Sequence, residues 1–415
     1  MTTPELARRL GTRDAVVIGL AAMIGAGVFT VFAPAAAAAG SGLLLGLAIA
    51  AFVAFANASS TAQLAARYPE SGGAYRYGRE RLGAWPGFLA GWGFVIGKTA
   101  SCAAMAMTFA AYLVPTEWQR PLAAAAVVVL AGVNLRGITR TARVAAIIVG
   151  FVVLVLLLVV SAGAGEVLQR GIPLEGLLDS GWPGILQSAG LIFFAFAGYA
   201  RIATLGEEVR DPARTIPRAI SIAFLVALLL YALVALVLLA TLGAPALAAS
   251  TAPLVDLVEA AGWPAAAPLV RVAAAAAALG ALLALIAGIG RTALAMARDG
   301  ELPHRLAAVH PRTRVPHVAE IVVAVVIVAL VLTVELREAI GFSSFGVLGY
   351  YLVANLAALT QPAVERRVPR ALSAVGAVGC LVLVVTLPPT SIVAGVAVFI
   401  VGVCWRLITA ARRRR

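Results

Sequence analysis

Charged side chains are scarce in this chain. Only 12% of its 415 residues are Asp, Glu, Lys or Arg, whereas 62% are hydrophobic, and the mean hydropathy is +0.99. A soluble protein of this length could not cover so much apolar surface with so few polar groups. Two uncharged runs, Val144 to Gly165 and Ala219 to Ala240, each hold about 20 residues, which is enough to cross a bilayer. The composition therefore predicts an integral membrane protein.

Cysteine and histidine are also rare, with three residues of each kind. Cys102, Cys380 and Cys404 lie in apolar segments, and we interpret them as small hydrophobic residues. The histidines fall between residues 304 and 317 without the spacing of metal ligands. A membrane enzyme would need a convergent set of His, Asp, Glu, Cys or metal ligands. Because the sequence shows no such set, we expect no catalytic site, no metal and no cofactor.

Apolar runs separated by polar breaks predict an all-α, polytopic protein with twelve transmembrane helices. These helices span residues 15–39, 41–66, 84–113, 121–136, 141–163, 184–206, 216–242, 264–297, 317–334, 338–360, 371–387 and 390–409. Two further segments are expected to lie on the membrane surfaces. Residues 68–83 are too polar to cross, and residues 254–261 have the apolar spacing of a short amphipathic helix.

Basic residues are distributed unevenly between the predicted loops. Of the 32 lysines and arginines, 26 fall on one side of the predicted membrane, three on the other side and three in apolar segments. The positive-inside rule therefore places both termini in the cytoplasm of a bacterial plasma membrane. Scattered anchors of this kind exclude a nucleic-acid partner, and the run Arg412–Arg415 is expected to contact anionic membrane lipid. Residues 1–14 are polar and carry no sign of a cleaved signal peptide.

Two predicted helices carry glycine near the middle of the span. In the first helix, Gly25 and Gly27 lie about ten residues into a span of about 25, close to the bilayer midplane. Glycines at this spacing let the chain unwind and free backbone N–H and C=O groups for a ligand. The sixth helix has a similar feature at Phe193–Arg201. Interruptions in helices one and six are typical of inverted-repeat transporters, and ordinary glycine packing is the alternative.

Four segments resemble motifs of one family. IGLAAMIGAGVF (18–29) resembles the first-helix signature of the amino acid–polyamine–organocation (APC) superfamily of permeases, and residues 193–220 are similar to its sixth helix and the following loop. YPESGGAYRYGRERLG (68–83) and AMARDGELP (295–303) resemble its first and fourth cytoplasmic loops. The resemblance implies the leucine-transporter-type fold: inverted five-helix repeats at 15–163 and 184–360, then two peripheral helices at 371–409, between a cytoplasmic N-terminus (1–14) and a basic tail (410–415).

The resemblance also implies a substrate site at the two interruptions. Carried over by position, that site comprises Ile24, Gly25, Ala26, Gly27, Phe196, Ala197, Gly198 and Tyr199. Freed N–H groups of the first helix would face a substrate carboxylate, and freed carbonyl groups would face its ammonium. The aromatic rings would form the apolar part and a gate. The pair Glu207–Glu208 is expected to latch the end of the sixth helix against nearby arginines such as Arg210 and Arg214.

Two cations depart from the family pattern. Lys98, the single lysine, lies near the middle of the third helix, whereas related permeases often carry a lysine in the fifth. We predict that Lys98 stands in for a coupling cation, because a desolvated lysine can lose its proton and an arginine cannot. The alternatives are a fixed charge in ion-independent exchange and a structural hydrogen bond to helix-end carbonyls. Arg201 follows the second interruption and is predicted either to bind acidic substrates or to pair with Glu207 or Glu208.

These features favour an amino acid permease that works by alternating access and has a small-molecule substrate. A polyamine or amine exchanger is the alternative within transport, but no Asp or Glu lies in the middle of a predicted span to receive a polycation. A non-transporting amino acid sensor is the alternative from another class. It usually carries an added cytoplasmic domain, for which residues 1–14 and 410–415 are too short. The identity of the amino acid, the coupling ion, the choice between symport and exchange, and the oligomeric state have no signature in the sequence.

Overall fold

The computed structural model describes residues 10–68, 72–137, 142–203, 205 and 208–413, and almost all of them are helical. Within this part, the α-helices are α1 (Thr12–Ile24), α2 (Gly27–Thr30), α3 (Phe32–Ala39), α4 (Leu43–Arg67), α5 (Ala74–Leu82), α6 (Ala84–Leu113), α7 (Thr116–Leu135), α8 (Ala142–Arg170), α9 (Gly181–Phe196), α10 (Ala200–Ala203), α11 (Pro212–Ala249), α12 (Pro253–Ala260), α13 (Ala267–Arg298), α14 (His317–Thr333), α15 (Leu336–Leu359), α16 (Arg370–Thr386) and α17 (Pro389–Arg413). One parallel bridge joins Leu10 to Val209.

Ten helical stretches in the described residues are long and apolar enough to cross a membrane. The apolar helices α14 and α16 are shorter, with 17 residues each. At about 1.5 Å per residue, each of the two is about 26 Å long, slightly less than a hydrocarbon core. The structure therefore confirms an all-helical, polytopic protein, and the count of twelve spans stays a prediction.

The observed helices follow the predicted ones with shifted ends. The predicted first span, 15–39, comprises α1, α2 and α3, and the predicted sixth span comprises α9 and α10 with a 3-10 turn between them. Helix α8 runs past the predicted end at residue 163 to Arg170, because polar residues such as Glu166 end an apolar run but are good helix formers. Glu166 also pairs with Arg170 at 3.0 Å. Helices α5 and α12 form in the two segments expected on the membrane surfaces.

Small residues let the helices at the centre of the bundle approach closely. Helix α6 packs against α13 and α15, and a Cβ added at Gly346 of α15 would lie 2.8 Å from the carbonyl oxygen of Gly93 on α6. At Gly97 the added Cβ would lie 3.0 Å from the backbone nitrogen of Val347. Such backbone contacts leave no room for larger side chains and are the usual way in which membrane helices associate. Large apolar side chains such as Ile147 and Leu154 are exposed on the outside, as expected of a lipid-facing surface.

Candidate binding site at two interrupted helices

The first interruption lies between α1 and α2. Helix α1 ends at Ile24, Gly25 leaves the helical conformation with φ −32° and ψ −127°, and α2 begins at Gly27. Ile24, Gly25, Ala26 and Gly27 are all buried. The break interrupts the hydrogen-bond ladder of the helix, so backbone groups on both sides of it are available to other partners.

The second interruption separates α9 from α10. Helix α9 ends at Phe196, residues Ala197–Tyr199 form a 3-10 turn, and α10 begins at Ala200. Phe196, Ala197 and Tyr199 are buried, whereas Gly198 is partly exposed. Both interruptions therefore occur at the positions where glycine predicted them.

The two interrupted segments lie against each other. A Cβ added at Gly198 would collide with the backbone of Ala22 and Met23 on α1. An added Cβ at Gly27 would lie 2.7 Å from Cα of Ala195, and one at Gly25 would lie 2.8 Å from Cβ of Ala281 on α13. The three glycines are thus required by close helix contacts as well as by local unwinding.

Tyr231 of α11 joins the two segments through their carbonyl groups. Its hydroxyl oxygen lies 2.6 Å from the carbonyl oxygen of Met23 and 3.2 Å from that of Ala195. Its ring also packs edge-on against Phe196 at a centroid distance of 5.1 Å. The single hydroxyl group therefore contacts one carbonyl oxygen from each interrupted helix, and these contacts fix the positions of the two helices relative to each other.

Lys98 is brought to the second interruption. The side chain is buried in α6, and its Nζ donates a hydrogen bond to the carbonyl oxygen of Ala197 at 3.1 Å. Among the residues that the structure describes, no carboxylate lies within 4 Å of Nζ. The contact places the lysine at the predicted site, and it is also the contact that a purely structural lysine would make.

A cluster of tyrosines at the second interruption was missed by the sequence analysis. Tyr351 of α15 stacks on Tyr199 at 5.0 Å, packs against Tyr350 at 4.1 Å, and places its hydroxyl 3.4 Å from the Ala197 carbonyl. The hydroxyl groups of Tyr199 and Tyr350 are buried, and the Tyr351 hydroxyl is their polar neighbour. The sequence did contain a signal for this cluster, the pair Tyr350–Tyr351 inside an apolar span. A buried tyrosine hydroxyl normally needs a hydrogen-bond partner, so the pair indicates polar neighbours.

Arg201 lies on α10, one turn beyond the interruption, and is only partly exposed. Its surroundings include the negative charge of Glu208 and the positive charge of Arg291 on α13. The predicted latch through Glu207 falls outside the described residues. The backbone carbonyl of Glu208 accepts a hydrogen bond from Leu10 at 3.0 Å, which ties the start of the chain to the segment after α10.

A cavity lies next to the second interruption, on the side of the bundle that carries the arginine-rich loops. Its walls include Ala200 and Ala203 of α10, Tyr350, and the segment Gly72–Tyr75 before and within α5. On the opposite side of the first interruption, the hydroxyl of Tyr112 donates to the carbonyl of Phe29 at 2.8 Å and lies 3.5 Å from the backbone nitrogen of Leu254 on α12.

The two predicted loop motifs meet at the arginine-rich end. The hydroxyl of Tyr75 donates to Oδ2 of Asp299 at 2.5 Å, and Arg79 forms an ion pair with Glu301. Arg406 of α17 also pairs with Glu301, at 3.1 Å. Burial raises the pKa of the Glu301 carboxyl, and the positive charges of Arg406 and Arg79 act in the opposite direction. Burial and the bond to Asp299 likewise raise the pKa of Tyr75.

This geometry defines a class of protein. A bundle of membrane-length helices, two of them interrupted at mid-span and in contact at the break, is typical of membrane transport proteins. Among the described residues, no group of three His, Cys, Asp or Glu side chains could hold a metal ion.

The chain belongs to the amino acid permease family, whose sequence model matches residues 10–408. An uncharacterized transporter of Mycobacterium tuberculosis (strain ATCC 25618 / H37Rv) is 56% identical over 414 residues, covering 99% of this chain and 94% of the relative. Branched-chain amino acid permease BcaP of Bacillus subtilis is 27% identical, covering 90% of this chain and 84% of the relative. The vacuolar cationic amino acid transporter 4 of Arabidopsis thaliana is 29% identical, covering 83% of this chain and 61% of the relative.

The protein is therefore an amino acid transporter, and not an enzyme. Its relatives and its membrane-length helices make it a multi-pass protein of a bacterial membrane. The resemblance in four motifs is thus confirmed at the level of the family.

Proposed function

We propose that the protein is a secondary active transporter that carries an amino acid across the plasma membrane by alternating access. The observation that carries the proposal is the contact between the two interrupted helices, with Gly198 against Ala22 and Met23 and Gly27 against Ala195. Lys98 binds the second interruption. Backbone groups freed at such breaks can hold both ends of a zwitterion without a charged side chain. Twelve spans, arranged as the repeats 15–163 and 184–360 followed by 371–409, belong to the same proposal.

In the proposed complex, the substrate carboxylate accepts hydrogen bonds from the N–H groups at the start of α2. The positive end of α2, which continues into α3 after Val31, favours an anion there. The substrate ammonium is received by carbonyl groups at the end of α9, including that of Ala197. Phe196 and Tyr199 supply the apolar surface, with Tyr199 backed by Tyr351.

Lys98 gives this site a route to ion coupling. Its ammonium donates to the Ala197 carbonyl, the acceptor proposed for the substrate ammonium. A carbonyl oxygen has two lone pairs and can accept from both groups. The charged form of Lys98 makes the stronger hydrogen bond, so its protonation state changes how firmly the second interruption is held for substrate. A proton gained on one side of the membrane and lost on the other therefore couples substrate movement to the proton gradient.

The cavity at the arginine-rich end indicates the access route on one side. Because it reaches from Gly72–Tyr75 to Ala200, it runs from the loops to within one residue of the second interruption. The contact between Tyr112 and Phe29 closes the opposite route. We assign this arrangement to a state that opens toward the cytoplasm, and alternating access requires a second state in which the Tyr112 contact is broken.

Purified protein in proteoliposomes tests the proposal. A thermal-shift screen against all amino acids and common amines identifies ligands, because a bound ligand raises the melting temperature. Radiolabelled uptake of each ligand is then measured with and without an imposed proton gradient. We expect at least one amino acid to be transported and its uptake to be saturable. Stabilisation by di- and polyamines alone, with no uptake of amino acids, would replace the proposal with amine exchange.

A further inference from the structure

A second cleft lies apart from the two interruptions, between the C-terminal end of α7, the last third of α13 and the start of α14. Its walls include Asn134, Arg291, Arg314, Pro316 and Glu320, and it is partly open to solvent. The adjoining surfaces of α7 and α14 expose Val129 and Ile321 and similar apolar side chains, so the cleft opens beside the lipid-facing surface.

Glu320 is the buried wall of this cleft. The residue is only 2% exposed, and among the residues that the structure describes its buried Oε2 has no hydrogen-bond partner. Gly290 of α13 allows α14 to approach so closely that an added Cβ would lie 2.8 Å from Cγ of Glu320. The carboxylate is thus held in place by packing, and no donor in the described part of the chain reaches one of its oxygens, which is costly for a buried charge.

Two arginines supply the opposite sign in the same cleft. In the part of the chain that the structure describes, neither Arg291 nor Arg314 forms an ion pair within 4 Å, although Arg291 lies within electrostatic range of Glu320. Asn134 directs its amide nitrogen away to the carbonyl of Leu283 at 3.0 Å. A ligand with only negative charge would be repelled by the carboxylate of Glu320, and a ligand with only positive charge would be repelled by the two guanidinium groups.

We propose that this cleft binds a zwitterionic group that carries a primary ammonium and an oxyanion. The ammonium donates to Glu320, and the oxyanion, a carboxylate or a phosphate, accepts from Arg291 and Arg314. Two sources share this chemistry. One is the ethanolamine phosphate headgroup of a lipid, because the cleft adjoins the lipid-facing surface. The other is a free amino acid from the arginine-rich side.

Helix α13 connects this cleft to the proposed transport site. Ala281, against which Gly25 packs, lies ten residues before Arg291 on the same helix, or about 15 Å along it. A ligand bound in the cleft is therefore expected to affect the position of α13, which contacts the first interruption. Arg291 also lies within electrostatic range of Arg201 beside the second interruption. The binding test of the cleft does not depend on transport.

The lipid arm of the test uses native mass spectrometry of the full chain, purified and exchanged into phosphatidylethanolamine, phosphatidylcholine or phosphatidylglycerol. Phosphatidylcholine keeps the positive charge but has no N–H to donate, and phosphatidylglycerol has no ammonium. If a headgroup occupies the cleft, phosphatidylethanolamine is retained preferentially, and Glu320→Gln and Arg314→Gln each lower its affinity about tenfold. Glu259→Gln and Arg298→Gln, at exposed residues, serve as matched controls and leave it unchanged.

The soluble arm measures thermal stabilisation by each amino acid and by O-phosphoethanolamine in lipid-free detergent. If the ligand is a free amino acid, Glu320→Gln abolishes the stabilisation by that amino acid, whereas ligands of the transport site still stabilise the variant. A positive result in either arm supports the proposal and identifies the source. Equal binding by wild type, Glu320→Gln and Arg314→Gln in both arms would overturn it. So would loss of binding in Arg314→Gln alone, since the cleft would then be an anion site.

Discussion

At Gly27 a single hydrogen atom in place of a side chain lets two interrupted helices touch. An added Cβ would lie 2.7 Å from Cα of Ala195, and backbone atoms cannot move aside as a flexible side chain can. Gly27→Val is therefore expected to separate α2 from α9 at a cost of about 1–3 kcal/mol, as overpacking does elsewhere. We expect uptake to fall about tenfold or more with normal membrane insertion.

Gly150 provides the matched control for this prediction. It lies on α8 with open space around an added Cβ, so Gly150→Val should leave uptake unchanged. Gly25→Val is expected to behave like Gly27→Val, because its Cβ would meet Ala281 at 2.8 Å. Uptake at the wild-type rate in both variants would remove the first interruption from the transport site.

Substitutions of Lys98 test whether substrate movement is coupled to a proton on this side chain. Lys98→Arg can keep a hydrogen bond to the Ala197 carbonyl, but arginine stays charged at any working pH. We expect wild-type uptake to be stimulated by an inward proton gradient, and both Lys98→Arg and Lys98→Ala to lose that stimulation. Substrate exchange without a gradient should persist in Lys98→Arg. Wild-type uptake that does not change with pH or with protonophores would exclude proton transfer by Lys98. Normal transport by Lys98→Ala would exclude any role of this residue in transport.

Arg201 tests the substrate class. A cation one turn beyond the interruption costs about 2.5–3.5 kcal/mol on insertion scales, which a functional role would explain. If Arg201 binds the side chain of acidic substrates, aspartate and glutamate compete with the transported amino acid, and Arg201→Ala lowers their affinity about tenfold. If neither acid competes and Arg201→Ala transports normally, the arginine serves the structure around Glu208.

At the scale of the element, Glu301 joins three helices that are distant in sequence. Its side chain is 7% exposed and pairs with Arg79 of α5 and Arg406 of α17, just after the end of α13. Glu301→Gln removes the negative charge and leaves two arginines facing each other. We expect a loss of about 1–3 kcal/mol in stability, measured as a lower melting temperature in detergent.

The exposed pair Arg76–Glu80 on α5 is the control for that measurement. Its side chains are 39% and 41% exposed, so solvent screens the pair and Glu80→Gln should change stability by about 0.5 kcal/mol or less. If Glu301→Gln and Glu80→Gln lowered the melting temperature equally, the buried cluster would not stabilise the packing of α5, α13 and α17 more than an exposed ion pair does.

At the scale of the whole molecule, the number of spans depends on whether the short helices α14 and α16 cross the membrane. Single cysteines in a Cys404→Ala background decide this for α14 with a membrane-impermeant maleimide, because the other two native cysteines are fully buried. Twelve spans predict labelling of Glu259→Cys and Glu335→Cys in intact cells. Arg298→Cys and Val364→Cys should react only after permeabilisation. Equal labelling of Arg298→Cys and Glu335→Cys in intact cells would show that α14 does not cross.

The helical spans and their interruptions could be predicted from sequence because both depend on local chemistry. A run of about 20 apolar residues spans a bilayer whatever its neighbours are. Gly25 and Gly198 weaken the helix at the residues where they stand, and the breaks are found there. The ends of the helices were less predictable: α8 continues to Arg170, because polar residues such as Glu166 end an apolar run without ending a helix.

The partners of the site depended on the tertiary structure. Tyr351 lies 154 residues from the Ala197 carbonyl that its hydroxyl approaches, and Tyr231 joins carbonyl groups of two different helices. The burial of the Glu320 carboxylate could not be predicted either, because it is a property of the packing of α7, α13 and α14. The sequence by itself determined the membrane location, the helical spans, the two breaks and the family, since each rests on residues that are neighbours in the chain. Only the tertiary structure decided what those breaks face, because contacts between distant segments follow from how the helices pack.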